Sequence, residues 1–369
     1  MVSFNQGGLL VNHGTVRAEA NTELDVVSDQ YACGWATFLE GTVFEGAGLV
    51  RFPGPTGWFG LFGPMQVNGT VELDGAGLGG QPVWGGPGLF RWKNGSLGNF
   101  TFAPGFQVEA SSAGIKDLRG TCNNQGTIHW IGDSRGISGP DVQLFNSGLL
   151  LIETNCLWDA WLTLNNFPGG TIRQTGGFFS LGTLNNSGIL EIVKGLAHMD
   201  GLNMDLNSSH LVDLGGRVAG TDFGQINAEG LTAGGSLIVT LTNGFVPAEG
   251  DAFVLATGEG GFGRFIATSL PPLPSELNWR VSYAPNAITL KVEAPARLGQ
   301  ACRLADGSFR FSLGSVTNHL YEIQASTNLV DWVTVFSLSE PSENSSFTDT
   351  NANCFERRFY RCWILDVEP

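Results

Sequence analysis

One short segment carries four side chains that could do acid–base chemistry on a sugar. The sequence TIHWIGDSRGISGPD contains His129, Asp133, Arg135 and Asp141. A polysaccharide lyase needs a base to remove a proton and a cation to neutralise the sugar carboxylate. These four residues are therefore the best catalytic candidates in the chain. The competing interpretation is a solvated turn with an incidental ion pair, and we favour it because such surface pairs stabilise little.

A second polar segment, LAHMDGLNMDLNSSHLVDLGGR, offers ligand types that bind metals, namely His198, Asp200, Asp205, His210 and Asp213. The chain contains neither a nonapeptide calcium repeat nor an HExxH motif, so we favour polar turns between strands. It also lacks a GxSxG motif, a P-loop and an obvious pair of facing carboxylates. The sequence therefore predicts no metal site and no cofactor.

Tryptophan offers a different chemistry, because exposed aromatic rings stack on sugar rings. The segments GPTGWFGLFGP and QPVWGGPGLF resemble protruding loops and carry Trp58 and Trp84. These two residues are candidates for a glycan-binding site. The competing and favoured interpretation is that they fill the core or cover loop clusters.

A recurring turn and strand must position all of these side chains. The segment TLNNSGILEIVKG has counterparts in QVNGTVELDG, CNNQGTIHWIG and LFNSGLLLIETN. We expect Asn and Gly to form a sharp corner, because Asn tolerates the left-handed conformation and bonds its own backbone, and Gly supplies a positive φ. The glycines that open the strands are 18 to 31 residues apart: Gly14, Gly41, Gly69, Gly95, Gly126, Gly148, Gly170 and Gly188.

These intervals are shorter than the roughly 40 residues of a propeller blade. Each unit has room for the strands of one coil, which buries its inner face only by stacking on its neighbours. The sequence therefore predicts an all-β protein containing a parallel β-helix, or β-solenoid.

Composition excludes several classes of partner. The net charge is −15, and nucleic-acid binding needs clustered Lys and Arg, so we expect no nucleic-acid partner. No apolar stretch is long enough for a transmembrane helix, and we expect no membrane insertion. The six cysteines form no CxxC pair, which argues against structural zinc. They leave open buried free thiols or a bond from Cys302 to Cys354 or Cys362.

The segment from 215 to 294 departs from the repeat. It contains GDAFVL and the hairpin-like WRVSYAPNAITLKV, and it resembles the segment that closes the β-helical passengers of autotransporter-like bacterial surface proteins. This resemblance implies a right-handed β-helix over residues 1–214 with a capping region over 215–294.

Beyond a linker at 295–297, the matching segments are YEIQASTNLVDW, FTDTNA and RRFYR. They resemble a small C-terminal module common in secreted proteins of the Verrucomicrobia and Planctomycetes. The resemblance implies a fibronectin-like β-sandwich over 295–369 and an exported bacterial protein.

We therefore expect a non-enzymatic extracellular β-solenoid, a surface adhesin or scaffold whose partner is a polysaccharide or cell-surface glycan. The alternative is a carbohydrate-active β-helix enzyme of the lyase or glycoside hydrolase type, because this fold hosts both. MVSFNQGGLL has no signal-peptide pattern, so either the protein is cytoplasmic or Met1 falls inside a longer coding region. We favour the second explanation, because the first strand–turn unit begins at once with no room for a cap. Oligomeric state is left open.

Overall fold

The computed structural model describes residues 2–4, 10–28, 36–54, 57–159, 161–295, 297–314, 320–339 and 345–365. Within these ranges the chain is all-β, and the one helical element is a 3₁₀ turn at Ala352–Cys354. Two compact units are present. The first contains residues 1–246, 253–271 and 283–289, and the second contains residues 247–252, 272–282 and 290–369.

The first unit is a parallel β-solenoid with three faces, here named A, B and C in chain order around each coil. On face A, Thr127 pairs in register with Leu149, which pairs with Thr171, which pairs with Ile189. Every partner lies one coil further along the chain, so each coil is the hydrogen-bonding template for the next. This confirms the predicted solenoid repeat.

Most strands of face A are short and regularly spaced. Their bounds are Val2–Phe4, Glu23–Ser28, Leu49–Pro53, Gln107–Ala110, Thr127–Trp130, Leu149–Ile152, Thr171–Gln174, Ile189–Ile192, Ser209–Leu214, Ser236–Leu241 and Ala267–Ser269.

Faces B and C are built in the same way. The short strands of face B are Leu10–Asn12, Ala36–Phe38, Lys116–Arg119, Ser134–Ser138 and Cys156–Leu157. Those of face C are Thr15–Arg17, Val43–Glu45, Thr101–Phe102, Thr121–Asn124, Gln143–Asn146 and Thr163–Asn166. Seven longer strands bend from one face to another: Trp58–Val67, Thr70–Gly85, Leu89–Gly98, Phe178–Asn186, Leu196–Met204, Gln225–Ala233 and Ala252–Gly263.

Glycines at the corner between faces C and A are required by close backbone approach. A Cβ on Gly148 would lie 2.1 Å from the carbonyl oxygen of Gly126, and one on Gly188 would lie 2.4 Å from that of Gly170. Neither Gly148 nor Gly188 has a positive φ. The expectation that positive φ explains glycine at this corner is therefore wrong; the side chain is excluded because the preceding coil is too near.

Three glycines of the predicted repeat occupy other corners. Gly14 and Gly41 lie between faces B and C, and Gly95 lies between faces A and B. Gly41 and Gly95 are also the two members of the predicted set that do have positive φ. Gly48 and Gly88, which the sequence pattern missed, stand at the C–A corner. Three of the predicted intervals, Gly41 to Gly69, Gly69 to Gly95 and Gly95 to Gly126, therefore compared different corners.

Asparagines at the same corner point inward and form what we call the inner asparagine row. Its members are Asn124, Asn146, Asn166 and Asn186, each 1% exposed. In the first three members, Nδ2 donates to the Oδ1 of the next member at 2.7 Å. None of the four has a positive φ. The expected left-handed role of these asparagines is therefore wrong, and their amides instead bond to one another along the stack.

The rest of the interior is apolar. Near the beginning of the solenoid it is aromatic, with Phe38, Phe52 and Phe59 in mutual ring contact. Further along, Leu164, Ile172, Leu190 and many similar side chains are fully or almost fully buried. Because side chains alternate between the inside and outside of each strand, this interior is continuous from coil to coil.

The second unit contains two three-stranded antiparallel sheets, which share a core of Phe311, Leu313, Tyr321, Ile323 and Phe347. This arrangement is a small β-sandwich, as predicted. One sheet has the order Arg297–Arg303, Phe309–Gly314, Ser345–Asp349, and the other Val333–Ser339, Leu320–Ser326, Phe359–Leu365. Two further strands, Asn278–Ala284 and Ala287–Glu293, each contribute residues to both units.

Ladder pairing continues past residue 214, since Ser236–Leu241 pairs with Ala267–Ser269 in the same parallel sense. The division into coils over 1–214, a cap over 215–294 and a module over 295–369 stays a prediction. Two residues named in the predictions lie outside the described residues: Ala296, which belongs to the predicted linker, and Cys33. Within them, no helix has the length and apolar character needed to span a membrane.

Candidate functional site

The outer surfaces of the three faces differ in chemistry. On face A, charged side chains of one coil pair with opposite charges on the next coil. Successive coils present Asp25, Arg51, Glu72, Arg91 and Glu109 at one outward position. Arg51 binds both carboxylate oxygens of Asp25 at 2.9 and 3.0 Å. Arg91 lies 3.5 Å from Glu72 and 3.3 Å from Glu109. Opposite charges that pair across neighbouring strands support the stack and leave few unpaired charges there for a ligand.

Face C carries an outer row of amides next to the inner one. Asn203 Nδ2 donates to Asn185 Oδ1, and Asn185 Nδ2 donates to Asn165 Oδ1, both at 2.9 Å. At the beginning of this row Phe145 pairs with Asn165, and its ring stacks on that of Phe167 with centroids 5.6 Å apart. These contacts also run between coils and stabilise the stack.

Face B has exposed aromatic side chains that lie over glycine residues of the neighbouring strand. Trp58 is 41% exposed and Phe62 is 46% exposed. Trp58 pairs with Gly77, and Gly60 pairs with Gly79 of the next coil. A Cβ on Gly77 would lie 2.6 to 2.8 Å from the fused-ring atoms of Trp58, so the indole lies flat over this glycine. Glycine in these strands therefore marks the place where a ring covers the backbone.

Strand register brings the polar pair Asp117 and Arg119 to the same surface. These two residues belong to the strand two coils beyond that of Gly77. Gly77 pairs with Ser96, and Ser96 pairs with Asp117. The Asp117 Oδ2 accepts hydrogen bonds from Ser96 Oγ at 2.7 Å and from Arg119 Nε at 2.8 Å. The Arg119 guanidinium lies over the Trp58 ring, 4.8 Å from its centroid. We call Trp58, Phe62, Ser96, Asp117 and Arg119 the Trp58 platform.

The chemistry of the Trp58 platform combines a flat apolar surface with a fixed polar edge. Asp117 is mostly buried with a side chain 12% exposed, whereas the Arg119 side chain is 58% exposed. Asp117 therefore holds Arg119 in place, while the Arg119 guanidinium keeps N–H groups that reach solvent and can donate hydrogen bonds. An aromatic ring beside such groups is the pattern that binds the faces and hydroxyls of sugars.

The second predicted tryptophan is not available to a ligand. Trp84 is fully buried and contacts Phe44 and Phe90 with ring centroids 5.9 and 5.0 Å away. It belongs to the strand Thr70–Gly85 rather than to a protruding loop, and its side chain lies in the core. The candidate role of Trp84 in glycan stacking is therefore wrong, and the favoured interpretation that it fills the core is confirmed. Sequence reasoning missed the more exposed Trp161, which has 63% of its surface accessible.

The four predicted catalytic residues are distributed around one coil. His129 is on face A, Asp133 is at the corner before face B, Arg135 is on face B, and Asp141 is in the turn before face C. The described contacts join no two of them. His129 Nε2 lies 3.0 Å from Glu153, and Asp133 accepts a hydrogen bond from the Asn155 backbone at 2.8 Å. The latter contact joins neighbouring corner turns.

Three buried titratable groups, Lys116, Cys122 and Cys156, are structural rather than part of an open site. The Lys116 Nζ donates to the carbonyl oxygens of Lys93, Ser111, Ser112 and Gly114 at 2.8 to 3.1 Å. Burial lowers the pKa of Lys116 to about 8. Cys122 and Cys156 are buried free thiols, and burial raises the pKa of each. A thiol whose pKa is raised is a weak nucleophile.

His210 is likewise inside the solenoid. Its Nδ1 lies 3.2 Å from the carbonyl oxygen of Leu190, and its ring stacks on Phe265. Burial lowers the pKa of His210 to about 4, so the ring is neutral at pH 7. The predicted segment around His198 is therefore divided, because His210 points into the core while His198 and Asp200 reach solvent.

Sequence comparison adds no relative from which a function could be transferred. No protein-family model matches the chain, and the comparison with curated proteins finds no match.

Proposed function

We propose that the protein is a non-enzymatic, exported β-solenoid that binds an extended glycan through the Trp58 platform. The observation that carries this proposal is the flat indole of Trp58 beside the Asp117–Arg119 pair on an outer face. A sugar ring would stack on the aromatic surface, and its hydroxyl groups would bond to the carboxylate and guanidinium. Its role would be that of a surface adhesin or extracellular scaffold.

The charge of the chain supports a neutral glycan as the ligand. The net charge of −15 repels a polyanionic polysaccharide at long range. Arg119 is already compensated by Asp117, so the platform holds no free cation for a uronic acid. The regular spacing of coils, about 4.8 Å per step, also favours a long and repetitive ligand over a small sugar.

The setting of the protein is part of the same proposal. The resemblance of residues 215–294 to closing segments of autotransporter-like proteins, and of 295–369 to a module of secreted Verrucomicrobia and Planctomycetes proteins, supports export from a bacterium. A rigid stack whose side chains are occupied by contacts between coils suits a scaffold. The separate positions of His129, Asp133, Arg135 and Asp141 give the alternative of a polysaccharide-cleaving enzyme no assembled site.

A panel of insoluble neutral polysaccharides, including cellulose, chitin, xylan and β-1,3-glucan, tests the proposal. Bound protein is measured by depletion from solution, and the supernatant is assayed for new reducing or unsaturated ends. We expect saturable binding to at least one polymer without new ends. Trp58→Ala should lower the affinity about five- to tenfold, since an aromatic stack is worth about 1 to 1.5 kcal/mol.

Trp161→Ala is the matched control, because Trp161 is more exposed than Trp58 and lies outside the platform. Arg119→Ala should weaken binding in the same direction as Trp58→Ala. Equal affinity of wild type and Trp58→Ala would show that the platform does not bind the polymer. Release of new ends would instead establish an enzyme.

A further inference from the structure

A second group of polar side chains is assembled by two neighbouring coils on the outer surface of face B. His198 and Asp200 belong to Leu196–Met204, and Glu229 belongs to Gln225–Ala233 of the next coil. The imidazole and carboxylate ligand atoms of these three residues all lie within 4.8 Å of one another. Their side chains reach solvent, so an ion could enter without rearrangement of the core.

Strand register places the two carboxylates directly opposite each other. Met199 pairs with Ala228 and Gly201 pairs with Gly230, which sets Asp200 beside Glu229. Like charges at directly opposed positions of paired strands destabilise the pair. A cation bound between the two carboxylates would remove this repulsion.

Hydrogen bonds fix the tautomer of the histidine in this group. Asn227 Nδ2 donates to Thr257 Oγ1 at 3.0 Å, which turns the Asn227 Oδ1 toward His198. His198 Nδ1 lies 2.9 Å from that oxygen. Because an amide oxygen only accepts, Nδ1 carries the hydrogen of the bond. Nε2 then points its lone pair toward the carboxylates, and it lies 3.9 Å from Asp200 Oδ1.

This arrangement is the one that metal-binding histidines use. A ligating imidazole donates its other N–H to a carbonyl or carboxylate, which orients the ring and raises its basicity. Asn227 supplies that acceptor here, and Thr257 in turn holds Asn227. The supporting residues are therefore in place independently of the three ligands.

Charge selects a divalent cation as the occupant. Two carboxylates and a neutral imidazole carry a total charge of −2, which a divalent cation balances and a single proton does not. One imidazole nitrogen with two carboxylate oxygens is a donor set for zinc and similar transition metals, whereas calcium and magnesium prefer oxygen alone.

We propose that His198, Asp200 and Glu229 form a binding site for a divalent transition metal ion, with zinc as the representative. The ion links two coils, because its ligands come from two strands paired across them. This site does not depend on the Trp58 platform, and its test does not involve a glycan.

Zinc binding is measured by calorimetric titration of the full chain at pH 7.5. All proteins carry Cys302→Ser and Cys354→Ser, because these two exposed thiols would bind zinc themselves. Titration with Co²⁺, followed by its visible absorption, reports the coordination sphere. Thermal unfolding with and without zinc reports whether the ion stabilises the fold, as any ligand specific for the native state does.

Three substitutions test the site and one serves as the control. His198→Gln and Glu229→Gln each remove one ligand with little change of volume. Asn227→Ala leaves the ligands but removes the acceptor for Nδ1. His129→Gln is the matched control, because His129 is also a surface histidine but pairs with the single carboxylate of Glu153.

We expect one zinc ion per chain, with affinity lowered about 10- to 100-fold or more in each of the three site variants. The control should bind as the parent does, and zinc should raise the unfolding temperature of the parent and the control alone. The Glu229 result is decisive, because a surface histidine acting alone would not need a carboxylate from the next coil. Absence of zinc binding in the parent, or equal binding by parent and Glu229→Gln, would overturn the proposal.

Discussion

Replacing Asn166 by alanine tests the energetic role of the inner asparagine row. Asn166 Nδ2 donates to Asn186 Oδ1 at 2.7 Å and to the Ile189 carbonyl oxygen at 3.1 Å, and its Oδ1 accepts from Asn146 Nδ2 at 2.7 Å. The residue is 1% exposed, so water does not replace these bonds. At a net value of about 1 kcal/mol for each, the loss is about 3 kcal/mol.

The neighbouring residue offers a control of the same type. Asn165 belongs to the same strand but points outward, where it accepts a hydrogen bond from Asn185 Nδ2 at 2.9 Å. In Asn165→Ala, water can satisfy the released amide, and we expect a loss below about 1 kcal/mol. The two variants therefore remove the same side chain from opposite sides of one strand, and they differ in its burial and in the number of hydrogen bonds that it makes.

Urea unfolding followed by tryptophan fluorescence measures both variants, because Trp130 is buried in the same solenoid. The difference in midpoint multiplied by the slope gives the change in the free energy of unfolding. Losses that agree within about 0.5 kcal/mol would refute the reasoning. That outcome would mean that burial of the amide row costs as much as its hydrogen bonds return.

Three other substitutions test the close packing of coils and two of the buried titratable groups, His210 and Lys116. Gly148→Ala should unfold at clearly lower urea than wild type, because its Cβ would lie 2.1 Å from a backbone oxygen, whereas Gly139→Ala has open space and should be nearly neutral. The pKa of His210 falls from about 6.5 to about 4 on folding, so the unfolded chain alone takes up a proton between these values. The free energy of unfolding, measured in urea, should therefore drop by about 3 kcal/mol as pH falls through this window, and His210→Leu should remove that part of the decline. Lys116→Met removes a donor from four carbonyl oxygens and should cost about 3 to 5 kcal/mol at pH 7. Because the pKa of Lys116 falls from 10.5 to about 8 on folding, the wild type should gain stability relative to this variant as pH rises from 8 to 10; a flat difference would show that Lys116 stays charged throughout.

Local sequence determined the class of fold. The recurring Asn-x-Gly before a short alternating strand, as in Asn146 to Leu151, predicts a chain that repeats one coil. That prediction holds because the signal is local: a corner needs a small residue, and a strand needs side chains that alternate between core and solvent. The antiparallel module after the solenoid was predicted instead from the resemblance of YEIQASTNLVDW, FTDTNA and RRFYR to a known module.

The tertiary structure alone decided which residues meet. Coils differ in length, so the register between them cannot be counted along the chain, and a shift of one residue exchanges the inner and outer positions. Register brings Glu229 to His198 across 31 residues and Arg119 to Trp58 across 61. The same register places the Trp84 side chain in the core and leaves Trp58 exposed, although the sequence treated the two residues alike.

The inner asparagines show what local sequence could predict and what only the tertiary structure could. The sequence marks Asn124, Asn146, Asn166 and Asn186 as corner residues, and the structure confirms that position. Their role was misjudged, because a single corner shows only its own backbone. Stacking at about 4.8 Å lets one amide bond to the next, and that contact exists only once neighbouring coils are in place.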